Sequence, residues 1–240
     1  MTYVIETRGL TRWFGRGHNR RKAVDRIDMH VGRGDIYGLL GPNGAGKSTT
    51  LKMLTGMLRP SEGDILFQGH PWTREDLYRI GALIESPPLY PNLTARENLR
   101  VRATLLGLDP STMDRALRTV GLVDTGNKQA GRFSMGMKQR LGIALSLLSD
   151  PELLILDEPT NGLDPMGIED LRALIRTLAA EGTTVIVSSH ILSEISQVAD
   201  HIGIIAQGRL VYEHSLDHSV DLEELFMRES RRVSAEAGAR

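Results

Sequence analysis

Gly41-Pro42-Asn43-Gly44-Ala45-Gly46-Lys47-Ser48 has the spacing G-x-x-x-x-G-K-S, and the segments on either side of it decide how it folds. Before it, Ile36-Tyr37-Gly38-Leu39-Leu40 is a short apolar run, which predicts a buried strand. After it, residues 49–57 carry helical spacing and close near Gly56. Glycines let the backbone wrap tightly enough to aim several N–H groups at phosphate oxygens, and the helix N-terminus adds partial positive charge. Lys47 is expected to reach the β- and γ-phosphates, and Ser48 to hold Mg²⁺. The bland alternative is a chance glycine turn before a helix. A random match in this chain has odds of roughly 0.01, and the strand–loop–helix setting lowers them further. The stretch therefore predicts binding of a nucleoside triphosphate.

The rest of the composition narrows the class. At 240 residues, the chain has length for one large domain, or one domain with an inserted subdomain. Hydrophobic content of 40% and charged content of 25% are those of an ordinary globule. A formal net charge of −1 gives no global attraction to nucleic acid or anionic lipid. With no cysteine, a disulfide framework, thiol catalysis and a cysteine-ligated metal are all excluded. No stretch approaches about 18 uninterrupted apolar residues, and residues 1–11 lack a signal-peptide core, so a cytoplasmic protein is expected.

Along the chain, residues 4–5, 23–31 and 65–68 read as short strands around the strand at 36–40. The basic stretch between Trp13 and Arg26 reads as a solvated hairpin tip. From about residue 73 to 148 the pattern turns helical. Thr94 and Glu97 make a capping box, Asp109-Pro110 opens another helix, and residues 135–148 show a helical face. This block is the expected inserted helical subdomain. Strands at 153–156, 183–187 and 202–206 then alternate with helices at 165–180 and 191–199, which implies a mainly parallel sheet. A tail over about 214–240 is expected to hold a short amphipathic helix from Asp221 to Arg232 and to fray after it. The expected fold class is α/β, with a phosphate-loop ATPase core, an antiparallel β subdomain near the N-terminus and the helical insertion.

Leu153-Leu154-Ile155-Leu156 runs into Asp157 and Glu158. Burying unpaired charge is costly, so two carboxylates ending a buried strand suggest a partner. Asp157 suits a Mg²⁺ shell beside Ser48, and Glu158 suits a base for water attacking the γ-phosphate. The other reading is a strand-end helix cap. His190 ends the strand-like run at 185–189, where open α/β sheets bind ligands. A lone histidine there is more often structural, but the order of loop, acidic strand and histidine-tipped strand favours a γ-phosphate sensor. His214 and His218, four apart, read as surface residues.

Taken together these segments resemble the ATP-binding subunit of an ABC transporter, over nearly the whole chain as a single 1–240 domain. Ser134-Met135-Gly136-Met137-Lys138-Gln139-Arg140 is similar to the ABC signature, and Glu158-Pro159-Thr160-Asn161-Gly162-Leu163-Asp164 to the stretch joining the catalytic glutamate to the D-loop. The resemblance implies ATP and Mg²⁺ as cofactors, held by Gly41, Pro42, Asn43, Gly44, Ala45, Gly46, Lys47, Ser48 and Thr49. It implies Glu158 and His190 as the catalytic pair and Phe14 as the aromatic on adenine, with Trp13 beside it as a competitor. It also implies a head-to-tail homodimer, in which Ser134 and Gly136 meet the ATP of the partner subunit, on the cytoplasmic face of a membrane through separate permease subunits.

Two departures carry information. Met135 and Met137 replace a glycine and a glutamine of the common signature. Glu85 stands where most relatives carry a Mg²⁺-ligating glutamine, so the implied metal set is Ser48, Glu85 and Asp157. That glutamate, with Phe133 and the Met137-Lys138-Gln139-Arg140 run, is similar to lantibiotic-immunity and bacitracin-type exporters; a neutral polar swap is the other reading. The implied function is ATP hydrolysis energising export of, or protection from, a peptide antibiotic, with another ABC exporter as the alternative. A soluble ABC ATPase on ribosomes or DNA would carry two cassettes or a long coiled coil. A GTPase would carry an Asn/Thr-Lys-x-Asp stretch, which Asn127-Lys128-Gln129-Ala130 is not.

Overall fold

The run at 36–40 forms strand β4 (Ile36–Leu40) and is buried along its whole length, because its sheet is covered on both faces. The computed structural model describes residues 3–217 and 221–238. Strand β9 (Thr184–Ser189) pairs with β4 on one side and β8 (Leu153–Asp157) lies beyond β9, and successive residues of β8 divide between two cores. Leu153 and Ile155 face one core, while Leu154 and Leu156 face the other. All four are fully buried, which is why the sequence runs apolar without alternation.

The six-stranded sheet has the order β11-β10-β4-β9-β8-β7, where β7 is Ile80–Leu83, β10 His201–Ala206 and β11 Arg209–Ser215. It is parallel from β10 to β7, with β11 antiparallel at one edge. Helices α1 (Lys47–Leu54), α5 (Pro165–Ala180), α6 (Leu192–Ser196) and α7 (Leu222–Gly238) accompany it. A second, antiparallel sheet is built on the twelve-residue β1 (Tyr3–Phe14), which pairs with β2 (Arg21–Ile27), β3 (His30–Gly32) and β5 (Glu62–Phe67); β6 (His70–Pro71) pairs with β5. Between β7 and β8 the chain makes α2 (Ala95–Leu106), α3 (Ser111–Thr119) and α4 (Met135–Leu147). The expected α/β class, parallel sheet, N-terminal antiparallel sheet and helical block are all present.

Several boundaries differ, each for a physical reason. The stretch 4–5 is the start of a far longer β1, hidden in sequence by Thr7, Arg8 and Gly9. Thr7 is fully buried because its hydroxyl donates to Ile27 O at 2.8 Å and accepts from Met29 N at 2.9 Å. Residues 23–31 divide into β2 and β3 around Asp28, whose carboxylate accepts from Gly9 N at 2.6 Å. The block read as helical from residue 73 contains β7, an edge strand of the parallel sheet. The backbone of α4 lies so close to it that a Cβ at Gly81 would sit 2.3 Å from Ser146 O. Strand β11 fills the gap between the strand expected to end at 206 and the tail expected from 214, where no element was expected; α6 stops well short of residue 199, and α7 runs past the expected end at 232. Both helix starts in the block match expectation: Thr94 and Glu97 form a reciprocal capping box, and the Asp109 carboxylate accepts from Ser111 N at 2.8 Å. The basic stretch forms the exposed tip between β1 and β2, with Arg20 and Lys22 stacked on Trp13 at 4.4 and 4.6 Å.

Candidate ATP site

Parallel strands end on the same side of their sheet, so β4, β8 and β9 deliver their C-terminal residues to one edge. The phosphate loop leaves β4, Asp157 ends β8, and His190 follows β9. Register makes the meeting specific: Leu40 is opposite Ser189, and Asp157 is opposite Ser188.

The loop is fixed from outside as well as within. Ala45 N donates to Pro42 O at 3.1 Å, and Thr50 N donates to Gly46 O at 2.9 Å to start α1. From the turn before β11, Gly208 N donates to Ala45 O at 2.8 Å and Gly208 O accepts from Asp25 N at 2.7 Å. Gly46 has φ of 115° and a Cβ there would meet Ala23 O at 2.7 Å, so only glycine fits between β2 and α1. Asp25 is itself clamped by Lys22 at 2.7 Å and Arg209 at 2.9 Å. Burial pushes its carboxyl up, and these two cations outweigh that and hold it below the ordinary value.

Lys47 is 5% exposed. Its ammonium donates to Gly41 O at 2.7 Å and lies 3.0 Å from Glu158 Oε1, within ion-pair range but off the hydrogen-bond line. Glu158 Oε2 lies 2.8 Å from His190 Nδ1, which joins the two residues assigned to hydrolysis. Glu158 has φ of 48°, unusual for a residue with a Cβ, and its N–H is held by Ser188 Oγ at 2.9 Å. The Ser188 hydroxyl donates to Asp157 Oδ1 at 2.6 Å. Ser188 was missed in the sequence, although the polar pair Ser188-Ser189 ending an apolar strand was its signal.

Glu85 follows β7, whose parallel pairing with β8 brings it to the same edge, but the other expected site residues make contacts of their own. Glu85 has φ of 64°, and its carboxylate is taken by Lys52 Nζ at 2.5 Å, linking the loop after β7 to α1. Ser134 caps α4, accepting from Met137 N at 3.2 Å. Gly136 and Met135 face Leu163 and Gly162 of the same chain rather than the phosphate loop. Phe14 ends β1 and is 40% exposed, with the Arg12 guanidinium 5.0 Å from its ring centre. Trp13 is more enclosed: besides its two cations, its indole N–H donates to Glu62 Oε1 at 3.2 Å. His214 is an exposed residue against Tyr212, while His218 lies outside the described residues. Among the described residues no helix is long and apolar enough to cross a membrane.

Comparison with known proteins agrees with this geometry. The lantibiotic transport ATP-binding protein SrtF of Streptococcus pyogenes is 49% identical over 211 residues, covering 88% of this chain and 92% of that protein. The bacitracin transport ATP-binding protein BcrA of Bacillus licheniformis is 50% identical over 223 residues, covering 91% of this chain and 72% of that protein. A solved structure of the ATP-binding subunit of an ABC transporter superposes with a TM-score of 0.81 at 30% identity, over 95% of this chain and 99% of that one. Residues 24–161 match the family described as ABC transporter. With the loop, the acidic strand end and the histidine on one sheet edge, the chain belongs to the ABC transporter family as one of its ATP-hydrolysing cassettes.

Proposed function

We propose that this cassette powers transport of a peptide antibiotic across the cell membrane, acting as a head-to-tail homodimer bound to separate permease subunits on the cytoplasmic face. The observation that carries the chemistry is the cluster Lys47, Asp157, Glu158 and His190 on one sheet edge. Lys47 binds the β- and γ-phosphates with the backbone of residues 41–49. Glu158 takes a proton from the attacking water, and His190, 2.8 Å away, orients it. Phe14 offers the more open ring for adenine. Ser134 and Gly136 reach the partner's ATP through the positive end of α4. The two relatives named for lantibiotic and bacitracin transport support the substrate class.

Mg²⁺ fits the residues present. Asp157 is 2% exposed, and the Ser188 hydroxyl occupies one of its two oxygens, which leaves a hard anionic oxygen for the metal beside Ser48. Bound there, Mg²⁺ supplies charge neutralisation on the phosphates. Glu85, paired with Lys52, would be the third residue to hold the metal.

Three measurements test the proposal. Glu158→Gln should keep ATP binding and lose turnover by a factor on the order of 10²–10⁴. Ser134→Arg should bind ATP as a monomer yet give no ATP-driven dimer by light scattering. Cells lacking the protein should become more susceptible to a peptide antibiotic. Near-normal turnover of Glu158→Gln sinks the base assignment, and unchanged peptide susceptibility with altered handling of another solute sinks the substrate class.

A further inference from the structure

Glu194, on α6, is a charged side chain only 7% exposed, and no part of the ATP chemistry above uses it. Its Oε2 accepts two hydrogen bonds, from Thr160 Oγ1 at 2.6 Å and from Ser189 Oγ at 3.1 Å. The Ser189 hydroxyl in turn accepts from Ile191 N at 3.0 Å. These partners bracket the hydrolytic pair. Thr160 lies two residues after Glu158, and Ser189 and Ile191 stand on either side of His190.

We propose that Glu194 is a positioning residue, holding the turn that follows Glu158 and the turn that carries His190 to a single carboxylate oxygen. The proposal rests on the reading of Glu158 and His190 as the hydrolytic pair. Both turns need such a tie. Glu158 has φ of 48°, a conformation that persists only where its surroundings hold it. Within its own turn the bonds are Asn161 N to Glu158 O at 3.2 Å and Leu163 N to Thr160 O at 3.1 Å, both longer than the bond to Glu194. The histidine is exposed, so its place depends on the backbone at 189–191. Two hydroxyl donors converging on one point call for a group that only accepts, and a carboxylate is that group. The far side of the same turn meets α4, where Gly162 lies under Met135. Thr160 is thus the point at which a loop touching the signature helix is anchored to the strand end bearing His190.

The experiment uses the full chain and steady-state ATP hydrolysis. Thr160→Val removes the hydroxyl at nearly constant volume, and Glu194→Ala removes the acceptor. Each should lower kcat by about 10- to 100-fold, the scale of a misplaced catalytic group, with KM for ATP little changed. KM is spared because the phosphate loop is held by Gly208, in the turn between β10 and β11, and packs against Ala23 of β2. Thr160→Ser and Glu194→Gln keep a hydroxyl donor and an acceptor oxygen and should recover most of the rate. The Thr160 pair decides the matter if Glu194→Ala does not fold. Thr160→Val with wild-type kcat, or Thr160→Ser as slow as Thr160→Val, overturns the proposal. Glu158→Gln is measured alongside: if it still turns over, the hydrolytic reading has failed. If it is dead while Thr160→Val is unaffected, only the role of Glu194 has failed.

Discussion

Lys47 is a buried ammonium paired with the Glu158 carboxylate, so replacing Glu158 should change nucleotide affinity as well as turnover. The pair is 3.0 Å apart, and the side chains are 5% and 16% exposed. At an effective dielectric near 20, the gross attraction at that distance is about 5–6 kcal/mol. Desolvation of both groups offsets much of it, and the carbonyl of a glutamine keeps part of the remainder. We therefore expect Glu158→Gln to destabilise the nucleotide-free protein by about 1–2 kcal/mol, a fall in Tm of about 2–8 °C for a chain of this size. The nucleotide-bound state loses little, because phosphate then neutralises Lys47. The difference appears as tighter binding, about 5- to 30-fold in Kd. ADP is the ligand of choice, since it contacts Lys47 through its β-phosphate without hydrolysis. Calorimetric titration with ADP and thermal unfolding with and without it give both halves of the cycle. An unchanged Tm without nucleotide together with an unchanged or weaker ADP affinity refutes the idea that Glu158 competes with phosphate for Lys47.

Three more outcomes can be checked. Asp25 is held below its ordinary value of 3.8 by Lys22 and Arg209, so its contribution is present above that value and lost as pH falls through the depressed one. Asp25→Asn should cost about 1 kcal/mol near neutrality, and its gap from wild type in thermal unfolding should close in acid; a gap that stays constant contradicts the clamp. Ser188→Ala leaves Glu158 N and Asp157 Oδ1 each without a partner, so it should cost about 1–3 kcal/mol in urea unfolding and lower kcat, and a wild-type kcat would remove Ser188 from the site. Glu85→Gln should leave ATPase of the isolated chain near normal but reduce antibiotic resistance in cells, whereas Glu85→Ala should impair both; if Glu85→Gln matches wild type in both assays, Glu85 is a neutral swap.

Local chemistry made much of this protein readable in one dimension. The phosphate loop is a contiguous octet, and its glycines, lysine and flanking strand have to be neighbours in sequence because one strand–loop–helix unit does the binding. The same holds for the capping box at Thr94 and Glu97 and for the buried strands at β4, β8 and β9. A fully apolar run betrays a sheet covered on both faces, and a carboxylate pair or a histidine at its end betrays the functional edge.

What the sequence left open depends on partners far away in the chain. The twelve residues of β1 could not be seen through Thr7, Arg8 and Gly9, since the acceptor that makes a buried Thr7 tolerable is Ile27 O, twenty residues on. Strand β7 lay within a helical stretch because four residues carry too little periodicity, and its pairing with β8 is set by packing under α4. The ion pair Lys47–Glu158, the tie from Ser188 to both carboxylate-bearing residues, and the capture of Glu85 by Lys52 all join residues thirty or more positions apart in the chain, which only the fold brings together. Residue type alone determined that a phosphate would bind and a carboxylate would wait beside it. Only the tertiary structure decided which oxygens Lys47 meets and which hydroxyl holds Glu158 in a backbone conformation it would not adopt by itself, because those choices are made by the order of strands in a sheet and not by neighbours in the chain.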